Sequence, residues 1–279
     1  MKLRNLTMMT DLYQLTMMYG YYRTNTHRKQ AVFDMFFRKP SEYSAYAIAA
    51  GLEQVIDYIK NLNFEEEDIQ YLDSLNLFDR GFLDQLRELR FTGDIYAVPE
   101  GTVVFPNEPI LRVKAPLFEA QLIETAMLNI INHQTLIATK ASRVVLAAQN
   151  DSVMEFGLRR AQGPDAGIYG ARAAIIGGCS ATSNVLTGQM FGIPVKGTHS
   201  HSWVMSFPDE LTAFRAYADA FPDSCLLLVD TYNTLKSGIP NAITVFKELR
   251  AKGYEPLGIR LDSGDLAYLT KKARVMLDE

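Results

Sequence analysis

Apolar residues recur at three- and four-residue spacing around Leu12 to Tyr22, Tyr46 to Leu62 and Phe64 to Leu75, which predicts three amphipathic helices in the first quarter of the chain. The pattern then changes. Between Phe91 and Pro116, Gly93, Pro99, Gly101, Pro106 and Pro109 punctuate short apolar runs such as Ile95 to Val98 and Ile110 to Val113, as expected of strands joined by turns. A further helical stretch follows from Leu117 to Gln149. Together these predict an amino-terminal α+β domain over residues 1–140.

Beyond that boundary short apolar strands alternate with helices. The strands are expected near Val153 to Gly157, Ile193 to Gly197, Leu226 to Val229 and Leu257 to Leu261, with first positions 40, 33 and 31 residues apart. Leu211, Phe214, Tyr217, Ala218 and Phe221 form one helical stripe, and Leu266, Leu269, Ala273 and Met276 another. Strand followed by amphipathic helix is the βα unit, so residues 141–279 are expected to form a parallel sheet, either closing toward a barrel or doubly wound. In both arrangements ligands sit at the carboxyl ends of the strands. The last pattern runs out at Met276 to Glu279 with no glycine cap and two acids where a helix dipole favours cations, and four units are too few for the usual eight. The expectation is an amino-terminal portion of something longer.

Charge narrows the partners. With 28 basic and 32 acidic residues the net charge is −4, which withholds the diffuse positive surface that nucleic acid or an anionic membrane needs. An apolar fraction of 48% with 22% charged residues is that of a folded globular chain. Cys179 and Cys225 stand far apart without a CxxC spacing, so no disulfide framework or structural zinc is encoded and a cytoplasmic setting is expected. Asp11 and Gln14 interrupt the apolar start, against a signal peptide, and no run approaches the roughly 20 residues of a membrane span.

Candidate chemistry collects after the strands of the second half. EFGLRRAQGPDAG, residues 155–167, places Arg159 and Arg160 beside a Gly163-Pro164-Asp165 turn, where guanidinium groups suit a carboxylate or phosphate. GTHSHS, residues 197–202, puts His199 and His201 on one side of an extended segment. An HxH pair is also a metal-hydrolase pattern, but such sites want more histidines, and only His27 and His133 remain, both on expected helices elsewhere. A single histidine near phosphates can instead act as a general acid or accept a phosphoryl group. Asp230 ends LLLVDTYNT, residues 226–234, and Asp262 and Asp265 lie in IRLDSGD, residues 259–265, where carboxylates can bind ribose hydroxyls, a ring nitrogen or Mg2+. Asp262, Ser263 or Asp265 could equally cap the last helix. Arg260 alternates with Ile259 and Leu261 and so points inward, where a cation needs an acid or a ligand beside it. The run Glu65 to Asp68 reads as a solvated helix start. No GxGxxG, HExxH, GxSxG or EF-hand pattern occurs, and Gly192 to Gly197 lacks the Lys-Ser/Thr pair of a P-loop.

TDLYQLTM (10–17), EFGLRRAQGPDAG, GTHSHSWVMSF (197–207), VDTYNT and IRLDSGDLA together resemble the nicotinate phosphoribosyltransferase family, in order along the whole chain. The resemblance implies an α/β fold, an amino-terminal α+β domain followed by an incomplete TIM-like barrel. It also implies conversion of nicotinate and 5-phosphoribosyl 1-diphosphate to nicotinate mononucleotide and pyrophosphate, coupled to ATP hydrolysis and assisted by Mg2+, in a homodimer with shared active sites. Position by position, it makes His201 the residue phosphorylated from ATP and places Thr198 in a nicotinate-contacting loop. Tyr13, from the neighbouring subunit, and Phe156 would sandwich the pyridine ring. Arg159 and Arg260 would bind substrate, and Asp230 and Asp262 would face base and ribose. His199 receives no role, and no metal ligand is assigned. Members of the family continue with further strands and a glycine-rich loop for the 5-phosphate. The alternatives are a nicotinamide-specific relative, or an inactive fragment that only dimerises or binds partners.

Overall fold

The structure is a computed structural model describing residues 4–38 and 45–279. The chain divides into two compact units, Met1–Lys196 and Gly197–Glu279.

The first unit begins with α1 (Leu12–Arg23), then β1 (Gln30–Met35), β2 (Ala47–Ile48), α2 (Leu52–Lys60), α3 (Glu66–Ser74) and α4 (Arg80–Glu88). Next come β3 (Asp94–Ala97), β4 (Val103–Val104), β5 (Leu111–Pro116) and the 32-residue α5 (Leu117–Ala148). The helix expected over 46–62 starts only at Leu52. Residues 47 and 48 instead pair antiparallel with Val104 and Val103, and Gly51, at φ +107°, turns the chain between strand and helix. That conformation costs glycine little and disfavours other residues. The acidic run starts α3 as expected: Glu65 and Asp68 form a capping box, with the Glu65 N–H donating to Asp68 Oδ2 at 2.9 Å.

β5 is the centre of a three-stranded antiparallel sheet, with Phe33 and Ile95 both opposite Val113. Its Leu111, Val113 and Ala115 are buried while Arg112 and Lys114 are exposed, the alternation of a sheet with one wet face. The buried face joins α1 to α5 in one core that includes Met18, Phe82, Leu86, Leu122 and Ile123, all with no exposure. Removing such side chains from water, at about 25 cal/mol per Å2 of apolar area, is the main force holding this unit together.

After α5 the first unit continues with β6 (Met154–Glu155), a 3-10 turn at Leu158–Arg160, α6 (Pro164–Ile176), β7 (Ala181–Thr182) and α7 (Val185–Phe191). β6 and β7 are parallel, as the βα reading requires. The strand expected over 193–197 reduces to one parallel bridge, Val195 with Thr182. Arg172 on α6, 11% exposed, ties this segment to the turn between β3 and β4 by an ion pair to Glu100 (2.6 Å) and to α2 by one to Glu53 (2.8 Å).

The second unit contains α8 (His201–Met205), α9 (Glu210–Ala220), β8 (Leu226–Leu228), a π turn at Thr234–Gly238, α10 (Ile239–Ala251), β9 (Gly258–Arg260) and α11 (Leu266–Asp278). β8 and β9 pair in parallel, Leu227 opposite Ile259. Phe214, Leu227, Val229, Ile239 and Ala242 are fully buried between this sheet and its helices. At Gly238 a Cβ would lie 1.9 Å from the Val229 carbonyl oxygen, so only glycine lets α10 start this close to the end of β8. No helix among the described residues is long and apolar enough to cross a membrane. Cys179 and Cys225 are buried, and burial pushes the Cys225 thiol up to about 11, away from reactivity.

Candidate active site

The polar cluster of the second unit is assembled by three segments that leave or approach the carboxyl ends of β8 and β9. The 197–202 loop is the first. Thr198 Oγ1 donates to the Leu226 carbonyl at 2.7 Å, and the Leu228 N–H donates to His199 Nε2 at 3.1 Å, so both side chains fasten the loop to β8. His199 is 7% exposed and lies edge-on to Tyr217, with ring centroids 4.7 Å apart. Because Nε2 accepts, the proton is assigned to Nδ1, which faces the Ser200 carbonyl at 3.3 Å. Burial depresses the pKa of His199, favouring this neutral form. His199 is thus a bracket between loop and strand. Its occupied Nε2 removes it as a metal ligand, and with it the HxH metal-hydrolase alternative.

His201, two residues on, begins α8 and faces the strand ends. Its Nε2 lies 3.1 Å from Asp230 Oδ1 and 3.4 Å from Asp262 Oδ1. Asp230 follows the buried run 227–229 directly, which is why its side chain is only 1% exposed; that of His201 is 39% exposed. Burial works to raise the Asp230 pKa but is outweighed by hydrogen bonds. Ser263 Oγ donates to Oδ2 at 2.6 Å, the Asp262 N–H to the same oxygen at 2.9 Å, and His201 stands at Oδ1, so the carboxyl is held below its usual range. Two carboxylate oxygens face one ring nitrogen, and the proton of His201 is therefore assigned to Nε2.

Arg260 ends β9. It is 24% exposed, donates to Asp262 Oδ2 at 2.9 Å and to the His199 carbonyl at 3.3 Å, and leaves a buried Nε without a partner. The acid that the sequence required beside an inward arginine is Asp262. The helix cap falls to Asp265, whose Oδ1 accepts from the Tyr268 N–H at 3.0 Å, which releases Asp262 and Ser263 for the site. Four of the expected residues, His201, Asp230, Asp262 and Arg260, therefore meet in one cluster, and Thr198 anchors its loop. Ser263 was missed as a site residue; the signal was the DSGD run, which offers more side-chain acceptors and donors than one helix start can use.

The other expected residues lie in the first unit. Tyr13 is half exposed on α1, where its hydroxyl accepts from Gln14 Nε2 at 2.9 Å. Phe156 is partly buried at the end of β6, and Arg159 is exposed in the 3-10 turn that follows. Glu155 shapes that turn, one carboxylate oxygen accepting from the Gly157 N–H and the other from Thr182 Oγ1 at 2.6 Å. His27 lies past the end of α1 rather than on a helix, whereas His133 is on α5.

Parallel βα units with a histidine, two aspartates and an arginine converging at the strand ends define an α/β protein whose site is built for ligands rich in hydroxyl and phosphate oxygens. Two family models match consecutive stretches: the nicotinate phosphoribosyltransferase amino-terminal domain over residues 8–132, and the nicotinate phosphoribosyltransferase family over 152–276. Among curated relatives, nicotinate phosphoribosyltransferase of Bacillus subtilis (strain 168) is 54% identical over 99% of this chain and 56% of its own length. Nicotinate phosphoribosyltransferase 2 of Arabidopsis thaliana is 40% identical over 96% of this chain and 57% of its own. The crystal structure of human nicotinic acid phosphoribosyltransferase superposes with a TM-score of 0.88 at 36% identity, covering 95% of this chain and 63% of that one. The chain belongs to the nicotinate phosphoribosyltransferase family. It spans little more than half the length of the curated relatives it matches.

Proposed function

We propose that this protein makes nicotinate mononucleotide and pyrophosphate from nicotinate and 5-phosphoribosyl 1-diphosphate, driven by ATP, in the cytoplasmic synthesis of NAD. The observation that carries the proposal is the His201 ring clamped by Asp230 and Asp262 beside Arg260, in a chain of this family. The transfer forms a bond from the pyridine nitrogen to the anomeric carbon as the carbon–oxygen bond to diphosphate breaks. Its demands are an aligned ring and a stabilised leaving group. Arg260 and Arg159 supply cationic contacts, Arg260 already being aimed by Asp262.

His201 accepts the γ-phosphoryl group of ATP, ADP leaves, and water later releases phosphate. Asp230 holds the ring during the first step and carries charge that stabilises a protonated imidazole. A phosphorylated His201 places new negative charge beside the diphosphate site, a physical route from ATP to altered substrate affinity. The cluster of His201, Asp230 and Asp262, whose donor atoms all lie within 4.8 Å of one another, offers hard carboxylate oxygens that fit Mg2+. Asp262 and Asp230 would hold that ion, which would neutralise diphosphate charge when bound.

Tyr13, contributed by a second subunit, and Phe156 sandwich the pyridine ring, Thr198 belongs to a loop that contacts nicotinate, and the active assembly is a homodimer. The family-model matches end at 132 and resume at 152, which supports the division into regions 1–140 and 141–279.

The test incubates the protein with γ-labelled ATP, then with nicotinate or nicotinamide and 5-phosphoribosyl 1-diphosphate. Acid-labile label on the folded wild type and none on His201→Ala is the expected result, with product from nicotinate. Label that persists in His201→Ala, or a folded wild type that takes none, overturns the phosphoacceptor assignment. Preference for nicotinamide overturns the substrate.

A further inference from the structure

Ser263 has no role in the chemistry described above, and its hydroxyl is not spent on the helix beside it. Asp265 caps α11, so the Ser263 side chain is free to turn back toward β8, where its Oγ donates to Asp230 Oδ2 at 2.6 Å. The second donor to the same oxygen is the N–H of its neighbour Asp262, at 2.9 Å. One turn after β9 thus grips one oxygen of a carboxylate that is 1% exposed. The consequence falls on the other oxygen. Rotation about a carboxylate's terminal torsion is soft, so the plane of Asp230 is set by what holds Oδ2, and that plane decides whether Oδ1 meets His201 Nε2 at 3.1 Å.

We propose that Ser263 is a positioning residue: its hydroxyl orients the Asp230 carboxylate so that Oδ1 faces His201 Nε2, and through Asp230 it fixes both the tautomer and the ring angle of His201. The importance of this for phosphoryl transfer rests on the function proposed above; the geometric chain from Ser263 to His201 does not. An alanine at 263 leaves the Asp262 N–H as the sole donor to Oδ2. The carboxylate can then rotate, and the ring nitrogen loses one of its two acceptors. Threonine keeps the hydroxyl and restores the grip.

The test uses the full chain labelled with nitrogen-15 at histidine, with the His201 signals identified by their loss in His201→Gln. In neutral wild-type imidazole, observed at alkaline pH, the proton of His201 is expected on Nε2. Ser263→Ala is expected to develop a substantial Nδ1–H fraction, and Ser263→Thr to return to the wild-type state. His199, whose Nε2 accepts from the Leu228 N–H, should keep its Nδ1–H tautomer throughout and so reports an intact fold. The rate of phosphoryl labelling from ATP should fall about tenfold in Ser263→Ala, the scale of one lost hydrogen bond to a charged group, and recover in Ser263→Thr.

If Ser263→Ala fails to fold, Ser263→Cys, a weaker donor of similar size, takes its place with an intermediate tautomer shift expected. A His201 tautomer unchanged in the folded donor-deficient variant, or a loss that threonine does not reverse, overturns the proposal. A wild type that takes no label overturns the function instead, and the tautomer comparison still decides the role of Ser263.

Discussion

Exchanging Asp230 for asparagine changes one atom and reverses the logic of the cluster. The amide oxygen can take the place of Oδ2 and keep the donors Ser263 Oγ and Asp262 N–H, which puts the NH2 group where Oδ1 stood, 3.1 Å from His201 Nε2. A donor there requires an acceptor ring nitrogen, so the His201 proton must move to Nδ1, against the remaining acceptor Asp262 Oδ1 at 3.4 Å. Three hydrogen bonds, the third being the one shared with His201, pass from charged to neutral acceptors, each worth about 1 kcal/mol less, and this is partly offset because a carboxylate is no longer buried. The expected stability loss is therefore about 1–2 kcal/mol, small enough for the fold to survive. The functional loss is larger. Asparagine in place of an orienting aspartate costs about 10^4 in rate in histidine-based sites, through the wrong tautomer, or roughly 5 kcal/mol at 1.36 kcal/mol per decade. Two measurements separate these effects: thermal unfolding gives the stability term, and phosphoryl labelling from ATP gives the rate. Labelling by a folded Asp230→Asn within about tenfold of wild type would refute the role given to Asp230. The depressed pKa of Asp230 adds a check. Its carboxylate contributes stability above the unfolded value near 3.9, and this is lost as pH falls through the lower folded value, a component that Asp230→Asn must lack.

Further outcomes follow from the same geometry. His199→Phe leaves the Leu228 N–H buried without an acceptor and should cost about 1–3 kcal/mol in chemical unfolding. Because His199 has a folded pKa below the unfolded value of about 6.5, its contribution is complete above that pH and is lost as pH falls through 6.5 toward the folded value. The phenylalanine variant should show a flatter decline in that window. Arg172→Ala strands Glu100, 18% exposed at its side chain, and should destabilise the first unit by about 3–5 kcal/mol, with much of the loss recovered when Glu100→Gln is added. Simple additivity of those two changes in a double-mutant cycle would contradict the coupling.

Much of this protein is legible in its sequence because periodicity is a local property. The α5 helix was expected at 117–149 and runs over 117–148, and the buried and exposed residues of β5 follow the alternation of LRVKA. The β8 and β9 strands, with chemistry just beyond them, could be placed from apolar runs ending in aspartate. What failed were elements whose identity depends on a distant partner. Residues 47 and 48 are strand only because Val103 and Val104 lie beside them, and the run at 193–197 finds a single bridging partner, Thr182.

The sequence alone determined the α/β class, the family, and which side chains stand at the ends of strands, since these depend on residue order and local hydrophobic spacing. Tertiary structure alone decided how the polar groups share their work. His199 and His201 are two positions apart and similar in chemistry, yet the Leu228 N–H claims one and Asp230 the other. Asp262, Ser263 and Asp265 were equivalent as candidate caps until the path of β9 past β8 gave the cap to Asp265 and turned the other two toward Arg260 and Asp230. Hydrogen bonds between residues about 30 positions apart depend on strand register and on burial that leaves each buried donor a single acceptor, and no local pattern encodes either.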